Sequence, residues 1–274
     1  MNKRRFLKGS LGLVSVTSLG GRLSACPDTT AQVSSQQAKP NGPGAIVAHG
    51  GGNIVTFTSS SAKLSSSFEH AFRLGGGRRA RIVTIASRED DGDAWLVNTL
   101  AKAGYRNTYR LRRSQPSAVG ELMAEDVIYI DGAVLTCVET RFMRKLNALP
   151  AIKFAFIARH KQGAVVGGTS AGAAALSNVM ICCNRGRRVI VSRGLGLLPS
   201  VIIDQHYSER NRQFRLNQVI TQNPNLLGIG LDEGEAISVQ GGTFKAIGGA
   251  VTRVEIKNTQ IATSNVRQGS IRLG

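Results

Sequence analysis

The sequence predicts an α/β fold, a three-layer α/β/α domain built on a mainly parallel sheet, and three observations carry that expectation. Short, continuously apolar runs alternate along the chain with segments of helical spacing, the pattern of strands buried on both faces and crossed by helices. Several of those runs end in glycine-containing turns, which is where such sheets place their chemistry. The 32 glycines fall in short clusters without a collagen period, and only 5% of the residues are aromatic, so the core must be aliphatic.

Taken in order, Ala45-Ile46-Val47-Ala48 reads as a first strand, ending in His49-Gly50-Gly51-Gly52-Asn53. His49 there is a candidate structural neighbour of any site, and His70 falls in a helix. Arg81 to Ala86 is a second strand, followed by Ser87-Arg88. Trp95 to Ala103 is a helix closed by Gly104. Val127 to Ile130 is a short strand entering Asp131-Gly132, and residues 136–148 have helical spacing. Ala164 to Val166 is a strand that enters Gly167-Gly168-Thr169-Ser170, after which the small residues 171–175 open a helix. His160, between Arg159 and Lys161, reads as a surface residue. Val201 to Ile203 is a strand leading to Asp204-Gln205-His206, and Arg210 to Thr221 is a helix that closes before Pro224. The last 35 or so residues alternate like strands, with Gly241-Gly242 as a hairpin turn.

The N-terminus reads as an address rather than as part of the fold. Residues 1–25 combine the charged start MNKRRFLK, a weakly apolar stretch and small residues, which describes an export signal. Arg4-Arg5-Phe6-Leu7-Lys8 resembles a twin-arginine signal. Leu23-Ser24-Ala25-Cys26 resembles a lipoprotein box with Cys26 as the acylated residue, and the alternative is a simple cleaved signal with an incidental cysteine. Acylation would anchor the protein stably, each buried CH₂ contributing roughly 0.8 kcal/mol. Residues 26–43 are polar and unpatterned, a flexible tether. Residues 44–274 form one domain. The expected location is therefore outside the cytoplasm, as a periplasmic or cell-surface lipoprotein or a secreted protein.

Charge and cysteine usage narrow the partners. The chain carries a formal +18; five of its basic residues and none of its acids lie in the first 25, leaving the remainder at +13. The densest basic clusters, Arg78-Arg79-Ala80-Arg81 and Arg185-Gly186-Arg187-Arg188, lack interleaved stacking aromatics, so a nucleic-acid partner is not expected. Long-range attraction of anionic substrates or of an anionic membrane surface fits the charge. The cysteines and histidines have no metal-ligand spacing, so neither a metal nor a cofactor is expected. Monomer and homodimer both stay open.

Gly168-Thr169-Ser170-Ala171-Gly172 is the sharpest local signal. It lies between a strand and a helix of small residues, the setting of a nucleophile elbow, in which glycines allow the tight turn that exposes a serine hydroxyl. The same kind of turn can hold a serine only as a helix N-cap. A nucleophilic serine needs a base, and of the four histidines His206 stands at a strand end. The best acid comes later, in Gly230-Leu231-Asp232-Glu233. With Ser170, His206 and Glu233 the order is Ser, His, acid, which argues against an α/β-hydrolase. Ala171, directly after the serine, is the natural backbone oxyanion donor. Arg210, Arg212 and Arg215 follow His206 on one segment, and arginine's planar fork suits carboxylates; one or two of them could instead serve packing or helix ion pairs.

GGTSAGAAALS (167–177), GLGLLPSVIIDQHYSERNRQFRL (194–216) and NPNLLGIGLDEGEA (223–236) together resemble the cyanophycinase family. That family comprises serine peptidases related to the aspartyl dipeptidases, with a fold like that of class I glutamine amidotransferases. The similarity covers about residues 44 to 255. It implies a nucleophile at Ser170, a base at His206 and a third member at Glu233. It also implies substrate contacts from Gln205 and the arginine segment, with a weaker match at Arg88. The implied activity is hydrolysis of cyanophycin, a polyaspartate backbone with arginine on each side chain, to β-aspartyl-arginine dipeptides; relatives act on other β-aspartyl peptides.

One stretch departs from the family pattern. A second glycine turn, usually Gly-Gly-Asp-Gln, is matched here by Asp131-Gly132-Ala133-Val134. Gly132 survives as the second oxyanion donor, but Asp131 replaces a glycine and Val134 the substrate-contacting glutamine. A carboxylate beside a developing oxyanion opposes catalysis, and losing one oxyanion donor costs roughly 2.7–4 kcal/mol. Three readings follow: an exported cyanophycin peptidase; a β-aspartyl dipeptidase or other hydrolase of the same fold; or a non-catalytic binding lipoprotein with a degenerate oxyanion turn.

Overall fold

The computed structural model describes residues 42–52, 55–57, 62–85, 95–112, 117–125, 127–130 and 150–273. In chain order they form β1 (Ile46–His49), β2 (Val55–Phe57), β3 (Ala62–Leu64), α1 (Ser66–Leu74), a 3₁₀ turn (Gly77–Arg79), β4 (Ile82–Ile85), α2 (Trp95–Lys102), β5 (Thr108–Arg110), α3 (Ala118–Ala124) and β6 (Val127–Ile130). They continue with α4 (Pro150–Lys161), β7 (Val165–Thr169), α5 (Ala171–Ala175), β8 (Val179–Arg185), β9 (Arg188–Arg193), β10 (Val201–Gln205) and α6 (Gln213–Gln222). The chain ends in β11 (Leu227–Leu231), β12 (Ala236–Gln240), β13 (Thr243–Ile247), β14 (Val251–Lys257), β15 (Gln260–Val266) and β16 (Gln268–Ser270).

The large sheet runs β16-β13-β12-β1-β7-β6-β4-β5. Its β1-β7-β6-β4-β5 half is parallel, and β12, β13 and β16 extend it antiparallel. Every residue of β1, β4, β6 and β7 is buried, which is why these segments carry apolar runs and not an alternating pattern.

The alternation reappears in which layer each residue meets. Ile46, Ala48, Val83, Ile85, Ile128, Ile130 and Val166 pack with Leu122 of α3, Ile152 and Phe156 of α4 and the alanines of α5. Val47, Ile82, Val127, Tyr129 and Val165 pack on the other face with Phe68 and Phe72 of α1 and Leu96 and Leu100 of α2. The sheet is thus the middle of three layers. The ring cluster Phe68, Phe72, Tyr105 and Tyr129, with centroids 4.9 to 5.6 Å apart, concentrates much of the small aromatic content on one face. Burial of each phenylalanine contributes on the order of 1.5–3 kcal/mol.

A second sheet, ordered β10-β11-β14-β15, lies beside the first. Sequence patterning placed Val201–Ile203 on a strand but did not separate it from the main sheet; β10 pairs parallel with β11, and α6 covers the pair through Leu216, Val219 and Ile220. The β8–β9 hairpin was not anticipated either. It carries Arg185, Arg187 and Arg188 at its turn, between the apolar runs 179–183 and 189–191. Helix α6 begins at Gln213 rather than Arg210, because Asn211 adopts a φ of 48° and Arg212 N–H bonds back to the Tyr207 carbonyl. The Gly241-Gly242 turn has φ of 56° and 79°, the signature of a two-residue hairpin that glycine accommodates without strain.

One expectation is corrected here. His160, read as a surface residue, is 9% exposed. It lies in the last turn of α4, where its carbonyl accepts the N–H groups of Gly44 and Gly163, so the lead into β1 is tied to that turn. The helical segment 136–148 lies outside the described residues. Among the described residues, no helix is long and apolar enough to cross a membrane.

Candidate active site

The elbow forms where β7 passes into α5. Ser170 sits at the tip with φ 52° and ψ −120°, a strained conformation for a non-glycine residue. The flanking glycines make it sterically affordable. A Cβ at Gly168 would lie 2.4 Å from the Gly172 carbonyl oxygen, and one at Gly172 would lie 2.3 Å from that of Ile130. Larger residues at either place would force α5 off the sheet. The arrangement matches the elbow of serine hydrolases, in which backbone strain presents the hydroxyl.

His206 follows β10 and is also in the positive-φ region, at 46°. Its Nε2 lies 2.9 Å from Ser170 Oγ, and its Nδ1 lies 2.6 Å from Glu233 Oε1. Glu233 stands in the turn after β11, and its backbone N–H donates to Glu209 at 2.9 Å. Hydroxyl, imidazole and carboxylate therefore form one connected path. The imidazole is buried and the carboxylate side chain is 42% exposed. Gln205 is buried, with Oε1 3.4 Å from Ser170 Oγ.

The turn after β1 ties these loops together. Ser170 N–H donates to the His49 carbonyl and His206 N–H to that of Gly50, each at 2.9 Å, and Gly234 N–H to that of Gly51 at 3.1 Å. Three successive carbonyls thus hold the serine, the histidine and the loop of the glutamate. Glycine is needed for close approach: a Cβ on Gly51 would lie 2.4 Å from His206 Cε1, and one on Gly52 would lie 2.7 Å from Glu233 Cβ. In the sequence this glycine turn reads only as a strand end; in the fold it underlies all three side chains. The run of three glycines at a strand end was the available signal.

Burial pulls the His206 pKa below its usual 6.5, and Arg210 and Arg212 push it the same way, while Glu233 opposes them through its hydrogen bond and charge. The ring is therefore neutral near pH 7, with one nitrogen able to accept a proton.

The three arginines separate. Arg215 was expected to meet substrate. It is instead buried and forms a two-pronged pair with Asp204, Nε to Oδ2 at 2.8 Å and Nη2 to Oδ1. The reason is its place on the face of α6 that packs against β10. Arg212 Nη1 donates to the Gln205 carbonyl at 2.5 Å and lies 3.6 Å from Asp204 Oδ1, so it braces the same strand end. Arg210 is exposed and near enough to influence His206 electrostatically. Arg88, Gly132 with its neighbours Asp131 and Val134, and Cys26 lie outside the described residues. Among the described residues, no group of three or more His, Cys, Asp or Glu side chains could hold a metal ion.

A three-layer α/β domain with a serine on a tight strand-to-helix turn, an imidazole against it and a carboxylate behind the imidazole has the make-up of a serine peptidase. The chain belongs to peptidase family S51, whose family model matches residues 86–247. It is 40% identical over 99 residues to the cyanophycinase of Synechococcus elongatus, covering 33% of this chain and 31% of that one. It is 45% identical over 82 residues to the cyanophycinase of Geminocystis herdmanii, covering 27% and 30% respectively. The matched part spans about a third of the length of these relatives. The fold is similar to that of a peptidase from an acI-B1 Actinobacterium, with a TM-score of 0.59 and 17% identity over 84% of this chain and 98% of that one.

Proposed function

We propose that the protein hydrolyses cyanophycin to β-aspartyl-arginine dipeptides through a Ser170-His206-Glu233 triad. The observation that carries the reading is the unbroken contact path from Ser170 Oγ through His206 to Glu233, at 2.9 and 2.6 Å. In the mechanism, Ser170 Oγ attacks the amide carbonyl as His206 Nε2 takes its proton. The imidazolium then protonates the leaving amine, and the steps reverse with water to free the acyl product. Glu233 accepts a hydrogen bond from Nδ1–H, which fixes the tautomer and stabilises the imidazolium. The Ala171 N–H is the oxyanion donor adjoining the nucleophile, and Gly132 the second. Arg210 and Gln205 are the side chains proposed to meet substrate. We further propose export and membrane attachment through Cys26, supported by the leader sequence and the lipoprotein box.

The direct test is incubation of the full chain with purified cyanophycin and mass analysis of the products. β-Aspartyl-arginine dipeptides are expected. Cleavage of short β-aspartyl peptides alone would replace this reading with a dipeptidase, and no cleavage of either would remove it.

The pH profile tests the base. His206 must be neutral to accept the serine proton, and its pKa lies below 6.5. The acid limb of kcat/KM should therefore fall below pH 6.5. Glu233→Gln removes two upward influences on that pKa, so the limb should move to still lower pH as the plateau drops. A limb that stays put or moves upward contradicts the assignment.

A further inference from the structure

We propose that His49 is a positioning residue that sets the geometry of the nucleophile and base from beneath, through the glycine turn, without touching substrate. The proposal rests on the triad reading and adds to it a fourth side chain. His49 is fully buried at the end of β1, in register with Thr169 of the nucleophile strand on one side and Ala236 on the other.

Its ring is satisfied at both nitrogens. The Gly51 N–H donates to Nδ1 at 3.0 Å, so that nitrogen is the acceptor. The proton then sits on Nε2, which lies 3.0 Å from Ser67 Oγ in the first turn of α1. The Thr169 hydroxyl, one residue before the nucleophile, lies 3.3 Å from the same Nδ1. Phe68 packs edge-on against the ring with centroids 5.0 Å apart. Burial lowers the pKa of His49 to about 4, and His206 when protonated pushes it the same way, so the acceptor is present throughout the neutral range.

These contacts have a direct consequence for the triad. The Gly51 amide that Nδ1 captures belongs to the residue whose α-carbon lies under the His206 ring, where even a methyl group would come within 2.5 Å of Nε2. The His49 and Gly50 carbonyls on the same turn receive the Ser170 and His206 N–H groups. One imidazole therefore holds the turn from which both reacting residues hang. Releasing it lets the Ser170–His206 contact drift, and displacements near 1 Å cost on the order of 10²-fold in rate.

The test uses the full chain and a fluorophosphonate that labels activated serines. Asparagine reaches the Nδ1 position and can keep an acceptor for Gly51; glutamine reaches the Nε2 position and cannot. Both lose the ring packing on Phe68. His49→Gln should slow labelling roughly 10²-fold, and His49→Asn should recover at least tenfold of that loss, although the two melt at similar temperatures. Where a substitution at 49 prevents folding, Ser67→Ala removes the acceptor for Nε2–H, with a 3.4 Å contact to Ser65 Oγ, and should slow labelling several-fold. Equal rates for His49→Gln and wild type, equal losses in the Gln and Asn variants, or an unchanged rate in Ser67→Ala would overturn the assignment. An unlabelled wild type, or labelling that survives Ser170→Ala, would overturn the triad reading first.

Discussion

Ser170→Ala is expected to reduce kcat by roughly 10⁶-fold, the order seen when a triad loses its nucleophile, with residual turnover left to substrate binding and the oxyanion donors. The substitution removes one oxygen atom, so little else should change. The elbow itself is held by backbone contacts, since Ser170 N–H bonds to the His49 carbonyl and the Ser170 carbonyl accepts the N–H groups of Ala173 and Ala174. Alanine tolerates a positive φ poorly, as serine does, so the melting temperature should shift by only a few degrees. Turnover of β-aspartyl substrates by wild type and variant, with circular dichroism to confirm the fold, checks this. Retention of more than about a hundredth of the wild-type rate would place the chemistry elsewhere.

The second large effect falls on stability. Arg215→Ala should destabilise the protein by about 3–5 kcal/mol, because it strands the buried Asp204 carboxylate. Asp204 is fully buried and Arg215 nearly so, and taking a charge out of water is costly unless a partner stays. Arg212, 3.6 Å from the same carboxylate, compensates in part, which argues for the lower end of the range. Replacing both members of the pair with apolar residues of similar volume should cost less than Arg215→Ala alone. Urea denaturation gives both numbers. A loss below about 1 kcal/mol for Arg215→Ala would mean the pair is not the buried brace described here. Asp204 is two residues from His206, so a shift of the β10 end would reach the proposed base.

The fold and the proposed triad are legible for different reasons. Buried parallel strands announce themselves as unbroken apolar runs, which is why β1, β4, β6 and β7 were expected where they stand. The elbow was legible because its chemistry is local: glycines, serine and small residues must be adjacent for the turn to close. His206 and Glu233 could be singled out by their strand-end positions, each following an apolar run. The roles that escaped are those set by contacts between remote segments. His49 meets Thr169 across 120 positions, and nothing in its own neighbourhood separates a buried ring from any other strand-end histidine. The three arginines after His206 look equivalent in one dimension. The irregular turns of residues 207–212 and the buried face of α6 divide them, turning Arg215 inward and leaving Arg210 exposed. The second sheet was missed because β14 and β15 alternate as any half-buried hairpin does, and only pairing with β11 gives them a separate layer.

The central claim is that one hydroxyl in this chain is activated by one imidazole. It is tested most directly by labelling the 274-residue chain with a fluorophosphonate at pH 7 to 8 and locating the adduct by peptide mass analysis. The account predicts a single adduct on Ser170, absent after His206→Ala. An adduct on another residue, or labelling of Ser170 that persists at the same rate without His206, would contradict it.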